Sequence, residues 1–244
     1  MKKHLFLFFI ALSFVVQSQE SVLLRFNYNT GEKYLLDMKI SQKMGTVMTN
    51  DMAFVMSQKI TAIDDDTFDS EMKIEKIVVK VIQSGTEVNY DSTKNEAELD
   101  VTGKMMKSQM DPMLKAVIKV KSSTLGKEIE TKVEPNVLGL NNMTNQSSNI
   151  VYPKEAVSIG SSWSMIKSEK GMEMKFVYTV SSITSKLVLL DITGTVGGLA
   201  KGTIKGIMYI DKNSGVTQYS TIDMDMSISG QQLSTSLVAT VKKQ

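Results

Sequence analysis

Alternation of apolar and polar residues runs through most of the chain and sets its fold class. Tyr34, Leu36, Met38 and Ile40 share one parity, and Asp37, Lys39, Ser41 and Lys43 share the other. Met52, Phe54 and Met56 repeat the pattern against Ser57 and Lys59, and Phe68, Met72 and Ile74 repeat it against Asp69, Glu71, Lys73 and Glu75. At Lys76-Ile77 the phase flips to Ile77, Val79 and Val81, which reads as a β-bulge. Further on, Met172, Met174, Phe176, Tyr178 and Val180 oppose Glu173, Lys175 and Thr179, while Ile222, Met224, Met226 and Ile228 oppose Asp223, Asp225 and Ser227. A strand oily on one side and charged on the other belongs to an antiparallel sheet with one covered face. Ile204, Met208 and Ile210 lead into Asp211-Lys212-Asn213-Ser214-Gly215, a hairpin turn, and Leu233, Leu237, Ala239 and Val241 close the pattern.

Two stretches break this rhythm. Met106, Met110, Met113, Leu114 and Val117 follow helical spacing. Asp111-Pro112 suits an N-cap followed by proline, so one helix or two short ones meeting there are expected. Residues 136–149 are rich in Asn, Ser, Thr and Gln and read as a linker. The expected architecture is mainly β: a large curled antiparallel sheet, a half-barrel of about eleven strands, its concave face covered by one or two short helices. Two stacked sheets are the alternative. Gly31-Glu32-Lys33-Tyr34 and Gly160-Ser161-Ser162-Trp163 open similar runs 129 residues apart. A single domain over 19–244, built of similar halves 19–135 and 150–244, is therefore expected.

The chain starts Met1-Lys2-Lys3-His4, followed by an apolar run from Leu5 to Val16 and polar Gln17 to Glu20. That order fits a signal peptide of residues 1–18, and the run is too short to span a bilayer core of about 30 Å. With no cysteine after it, a lipoprotein is not expected. The expected location is the periplasm or the exterior, as a soluble exported chain. Without Lys2 and Lys3, Lys+Arg falls from 28 to 26 against 26 Asp+Glu, so no basic excess points to nucleic acid. His4 is the sole histidine and there is no cysteine. Histidine triads, thiol nucleophiles, zinc sites of the usual ligands and disulfides are thereby excluded beyond residue 18.

The 18 methionines dominate what remains. Thioethers suit Cu(I), but these interleave with Phe54, Ile222 and Ile228 on strands, where they serve as adaptable core filler or as repackable walls for apolar ligands. No metal site or cofactor is expected. The Asp64-Asp65-Asp66 run, Asp91 with Glu96, and Asp223 with Asp225 could support glycoside hydrolysis or Ca²⁺ binding, yet they read as solvated turns and faces. No Gly-x-Ser-x-Gly elbow occurs, and glycines 194, 197, 198, 202 and 206 suit a sheet bend better than a phosphate cradle. Asn142 and Asn145 head sequons, and Trp163 reads as a core anchor.

Pro153-Lys154-Glu155-Ala156-Val157-Ser158-Ile159-Gly160-Ser161-Ser162-Trp163 resembles the P-x-x-x-V-x-x-G-x-x-W signature of a family of exported Gram-negative bacterial proteins, a domain of unknown function. The Gly31 to Tyr34 opening and the Asp211 to Gly215 turn are similar to that family's as well, although Ser161 stands where many members carry Asp. The family has no assigned activity, so the resemblance implies only export and a Met-rich β fold. In shape the expected cup resembles the periplasmic lipoprotein carriers. These readings converge on a non-enzymatic envelope protein that binds or carries an apolar ligand such as a lipid. Its expected lining is Met52, Met56, Met106, Met110, Met113, Leu114, Met174, Met224 and Met226. A structural module docking on another envelope protein through a sheet edge or a charged strand face is the alternative.

Overall fold

The structure, a computed structural model, describes residues 20–137, 140, 150–169 and 171–244. The leader expected over 1–18, most of the 136–149 linker and both sequons lie outside them. Among the described residues fourteen strands form, β1 (Ser21–Val22), β2 (Lys33–Met44), β3 (Met48–Asp64), β4 (Thr67–Gln83), β5 (Thr86–Asp91), β6 (Val117–Ser123), β7 (Glu128–Glu134), β8 (Val157–Ser158), β9 (Ser162–Glu169), β10 (Met172–Ile183), β11 (Leu187–Gly198), β12 (Ala200–Asp211), β13 (Thr217–Ile228) and β14 (Gln231–Lys243). Helix α1 spans Val101–Lys115 after a 3₁₀ turn at Glu96–Glu98.

Twelve strands make one antiparallel sheet in the order β7-β6-β4-β3-β2-β14-β13-β12-β11-β10-β9, with β5 also on β4, and β1 pairs with β8 separately. The sheet is open: among the described residues β7 and β9 each have a single neighbour. The sheet thus has twelve strands where about eleven were expected. The bulge read at Lys76-Ile77 is present: Val55 pairs with Lys76 and Met56 with Ile74, leaving Glu75 as the extra residue. It also divides β4, whose Thr67–Lys73 stretch pairs with β6 and whose Val78–Gln83 stretch pairs with β5 on the same edge.

Of the two arrangements expected around Asp111-Pro112, the structure has the single helix. It is capped at its start by the Asp100 carboxylate, which accepts from the Gly103 N–H at 2.7 Å. Pro112 removes one backbone donor late in the helix. Met110, Met113 and Leu114, on either side of it, pack against the sheet and hold the turn in place. Asp111 serves as the i+4 partner of Lys107, at 3.1 Å, rather than as a cap.

Two large apolar clusters fill the covered face, beside a smaller one of Tyr34, Ile60, Phe68 and Val216. One gathers Phe54, Ile74, Ile77, Val79, Tyr90 and Ile118 under α1, together with Val137 and Leu140. The other gathers Phe176, Tyr178, Leu190, Ile192, Ile204 and Ile210 under Val22, Leu24, Ile150, Tyr152 and Val157. At one end of the sheet Phe26, Tyr28, Tyr34, Phe68 and Tyr152 form a chain of ring contacts with centroids 4.8 to 6.0 Å apart. Arg25, the chain's single arginine, donates there to the carbonyls of Leu24, Pro153 and Lys154 at 2.5 to 2.8 Å. That fork binds the residue 22–26 stretch to the residue 150–157 stretch.

A hydrogen-bond pattern recurs at the two openings noted in the sequence. Gly31 N–H donates to the Ile60 carbonyl and Ile60 N–H to Glu32, each at 2.9 Å. Gly160 N–H donates to the Val180 carbonyl at 2.8 Å and Val180 N–H to Ser161 at 2.9 Å. Both glycines sit at positive φ, +89° and +87°, the left-handed position of this bulge type. Register then slips after Ile60 and again after Val180, so each pair of strands turns in the same way.

Candidate functional site

The alternation places the clustered methionines of the sheet on the covered face, and the helical stripe turns Met106, Met110 and Met113 of α1 toward it. Of the nine residues expected to line a ligand site, six come together. Met52 and Met56 of β3 share a cluster with Met106, Met110, Met113 and Leu114 of α1, with Met38 and Met72 beside them. Met174, Met224 and Met226 lie in the other cluster, with Met165, Met172 and Met208. The structure thus brings six of the nine into one layer between helix and sheet and sets the other three apart, in the second cluster.

The layer under α1 is incompletely sealed. Met56 and Met113 are buried, whereas Met52, Met106, Met110 and Leu114 stay half-buried. On the outward side of the helix Val101 and Met105 are 77% and 61% exposed. The Tyr90 hydroxyl of β5 is buried without a well-formed hydrogen bond and lies near Asp111 of α1. Burial first, and the Asp111 charge second, hold its pKa above that of an ordinary phenol.

Trp163 is half-buried, stacks on Tyr178 with centroids 5.6 Å apart, and donates from Nε1 to the Val151 carbonyl at 2.9 Å. The glycines from 194 to 206 lie in β11 and β12, where strands crowd: a Cβ on Gly206 would fall 2.0 Å from the Thr221 carbonyl oxygen.

On the opposite, charged face lies a depression that no sequence motif marks. A shallow groove of about 290 Å³ opens there, lined by Ser41, Lys43, Lys205, Asp223, Asp225, Ser234, Thr235 and Ser236. It forms because serines of β2 and β14 are short beside the lysines and aspartates that flank them. Asp225 accepts from the Ser234 hydroxyl at 2.7 Å, and Asp51 from Ser41 at 2.6 Å. Only the pairing register, Lys205 beside Asp223 beside Ser236 beside Ser41, reveals this row, and register is not written in a single strand. Among the described residues no group of three or more His, Cys, Asp or Glu side chains could hold a metal ion, and no helix is long and apolar enough to cross a membrane.

No protein-family model matches the chain, and no curated protein matches it. Among solved structures it is similar to an outer membrane channel from Pseudomonas putida F1, at 7% identity and a TM-score of 0.35, covering 88% of this chain and 97% of that one. It is also similar to the translocator domain of the autotransporter NalP from Neisseria meningitidis, at 8% identity and a TM-score of 0.30, covering 88% and 89%. At such scores neither likeness bears on what this chain does.

Proposed function

We propose that the chain is an exported, non-enzymatic envelope protein that holds an apolar ligand, such as an acyl chain, between α1 and the Met-bearing face of the sheet. One observation carries this reading: the half-buried layer in which Met106, Met110 and Leu114 meet Met38, Met52 and Met72. Methionine has three rotatable bonds and a polarisable sulfur, so a wall of methionines repacks around a guest of variable shape. Export is supported by the basic start and the Leu5 to Val16 run, and anchoring by a lipid is disfavoured by the lack of cysteine. The absence of histidine and cysteine beyond residue 18 supports binding over catalysis.

The test is native mass spectrometry and solvent extraction of protein purified from the periplasm. Co-purifying lipid is expected, and it should fall severalfold in a Met106→Lys, Met110→Lys double variant whose far-UV dichroism is unchanged. Homogeneous ligand-free protein would overturn the reading.

A further inference from the structure

We propose that the free edge of β9 is an acceptor for an added strand, and that its occupant is β9 of a second copy of this chain, paired antiparallel about Ile166. The inference is independent of any ligand under α1.

Backbone geometry shows which groups are free. In antiparallel pairing, successive residues alternate between pointing their N–H and C=O toward one neighbour and toward the other. Val180 bonds through both its groups to Gly160 and Ser161, so Tyr178, Phe176 and Met174 bond toward Trp163, Met165 and Lys167. The N–H and C=O groups of Ser162, Ser164, Ile166 and Ser168 therefore face outward, where the sheet has no further strand among the described residues.

The same strand type elsewhere in the chain is occupied. β2 opens with the same glycine bulge as β9, and the edge of β2 that corresponds to the free edge of β9 carries β14 along Tyr34 to Met44. A strand in this setting thus takes an antiparallel neighbour on this side, and at β9 no described residue supplies one.

The two ends of the sheet are also protected differently. β7 carries Glu128, Glu130, Lys132 and Glu134, tied by Lys132–Glu130 at 2.7 Å and Lys119–Glu134 at 2.6 Å, and a bulge at Ile129. Charges and bulges of this kind discourage strand addition. β9 also carries Lys167 and Glu169, but its outward-bonding residues are uncharged, serines around Ile166, which is 57% exposed.

The outward-bonding residues read Ser164-x-Ile166-x-Ser168, which is symmetric about Ile166. A twofold axis there pairs Ile166 with Ile166 of the other copy and Ser164 with Ser168, with no like charges opposed. The interface is self-complementary and closes at two copies, as a cyclic dimer requires. A β9-to-β7 pairing would instead run on into a filament and would meet the charged edge.

Sedimentation velocity across low to high micromolar concentrations tests the proposal. A dimer is expected, and Ile166→Lys, which opposes two like charges, should return it to monomer with unchanged far-UV dichroism and thermal midpoint. Ile129→Lys on β7 should leave the dimer intact. The cysteine-free background allows a register test, because directly opposed residues in a bonded pair lie about 5.5 Å apart, within disulfide reach. Under mild oxidation Ile166→Cys should cross-link to itself. Ser164→Cys should not, but should cross-link to Ser168→Cys when the two are mixed. A monomer at every concentration, a dimer that survives Ile166→Lys, or self-cross-linking of Ser164→Cys equal to that of Ile166→Cys would overturn the proposal. So would protection of β9 amides from exchange only by an added foreign peptide.

Discussion

The Tyr152 hydroxyl donates to the Gly215 carbonyl at 2.6 Å, joining the residue 150–157 stretch to the hairpin between β12 and β13. Both partners are removed from water, Tyr152 being 2% exposed. Tyr152→Phe strands the carbonyl without changing the packing, and a stranded buried acceptor costs about 1–3 kcal/mol. Urea unfolding should show that loss with an unchanged slope. Tyr152→Ala, which also empties the aromatic chain at Phe26, should cost about 3–5 kcal/mol.

Gly215 sits at φ +68°, and a Cβ there would come within 1.9 Å of the Arg25 carbonyl oxygen. Gly230, in the turn between β13 and β14, has φ +83° with open space around it. Gly230→Ala should therefore cost only the left-handed penalty, about 1–2 kcal/mol. Gly215→Ala should cost clearly more and loosen the 22–26 stretch, a difference that thermal midpoints and limited proteolysis near Arg25 would report.

Acid should find a weak point at Glu32. Burial alone would raise its pKa, but hydrogen bonds from Lys243, Tyr34 and Asn29 outweigh it and bring the carboxyl from 4.5 to about 2. A carboxylate whose pKa is lowered by folding stabilises the fold above its unfolded pKa and loses that contribution as pH falls through the folded one. Stability from this network should be intact above about pH 4.5 and fade toward pH 2. Glu32→Gln should flatten that acid limb by about 1–2 kcal/mol, discounted because Lys243 is solvent-exposed, as pH-dependent urea midpoints would record.

The cover of the first cluster depends on one cap. Asp100→Ala removes the acceptor for the Gly103 N–H and should weaken α1 by about 0.5–2 kcal/mol. Hydrogen exchange should quicken across Val101–Lys115 while the β3 and β4 amides keep their protection. Equal acceleration in both places would mean that helix and sheet open as one unit.

The strands were legible because period-two patterning is local: Tyr34 to Ile40 announces its inner face whatever lies beside it. The bulge at Glu75 was legible for the same reason, as a change of phase. Pairing order was not, because nothing within β14 says that β2 is its neighbour rather than β7. The helix was legible as a stripe, but its continuity through Pro112 rested on anchoring by Met110, Met113 and Leu114, a tertiary matter. Of the candidate lining, Met106, Met110 and Met113 could be grouped by helical spacing. That Met52 and Met56 would meet them, while Met174 and Met224 would not, depended on which half of the sheet the helix crosses.

The last strand of the chain lies in the middle of the sheet: β14 sets Leu237 against Ile40 of β2. On either side of that seam, strands next to each other in space are near neighbours along the polypeptide, so hairpins can zip as soon as they are synthesised. The seam itself must wait for the C-terminus, because closing so large a loop is entropically slow. Assembly should thus proceed as two quick local condensations and one late union. A chain halted before Gln231 would be left with two half-sheets, each baring the edge that β14 was to have covered.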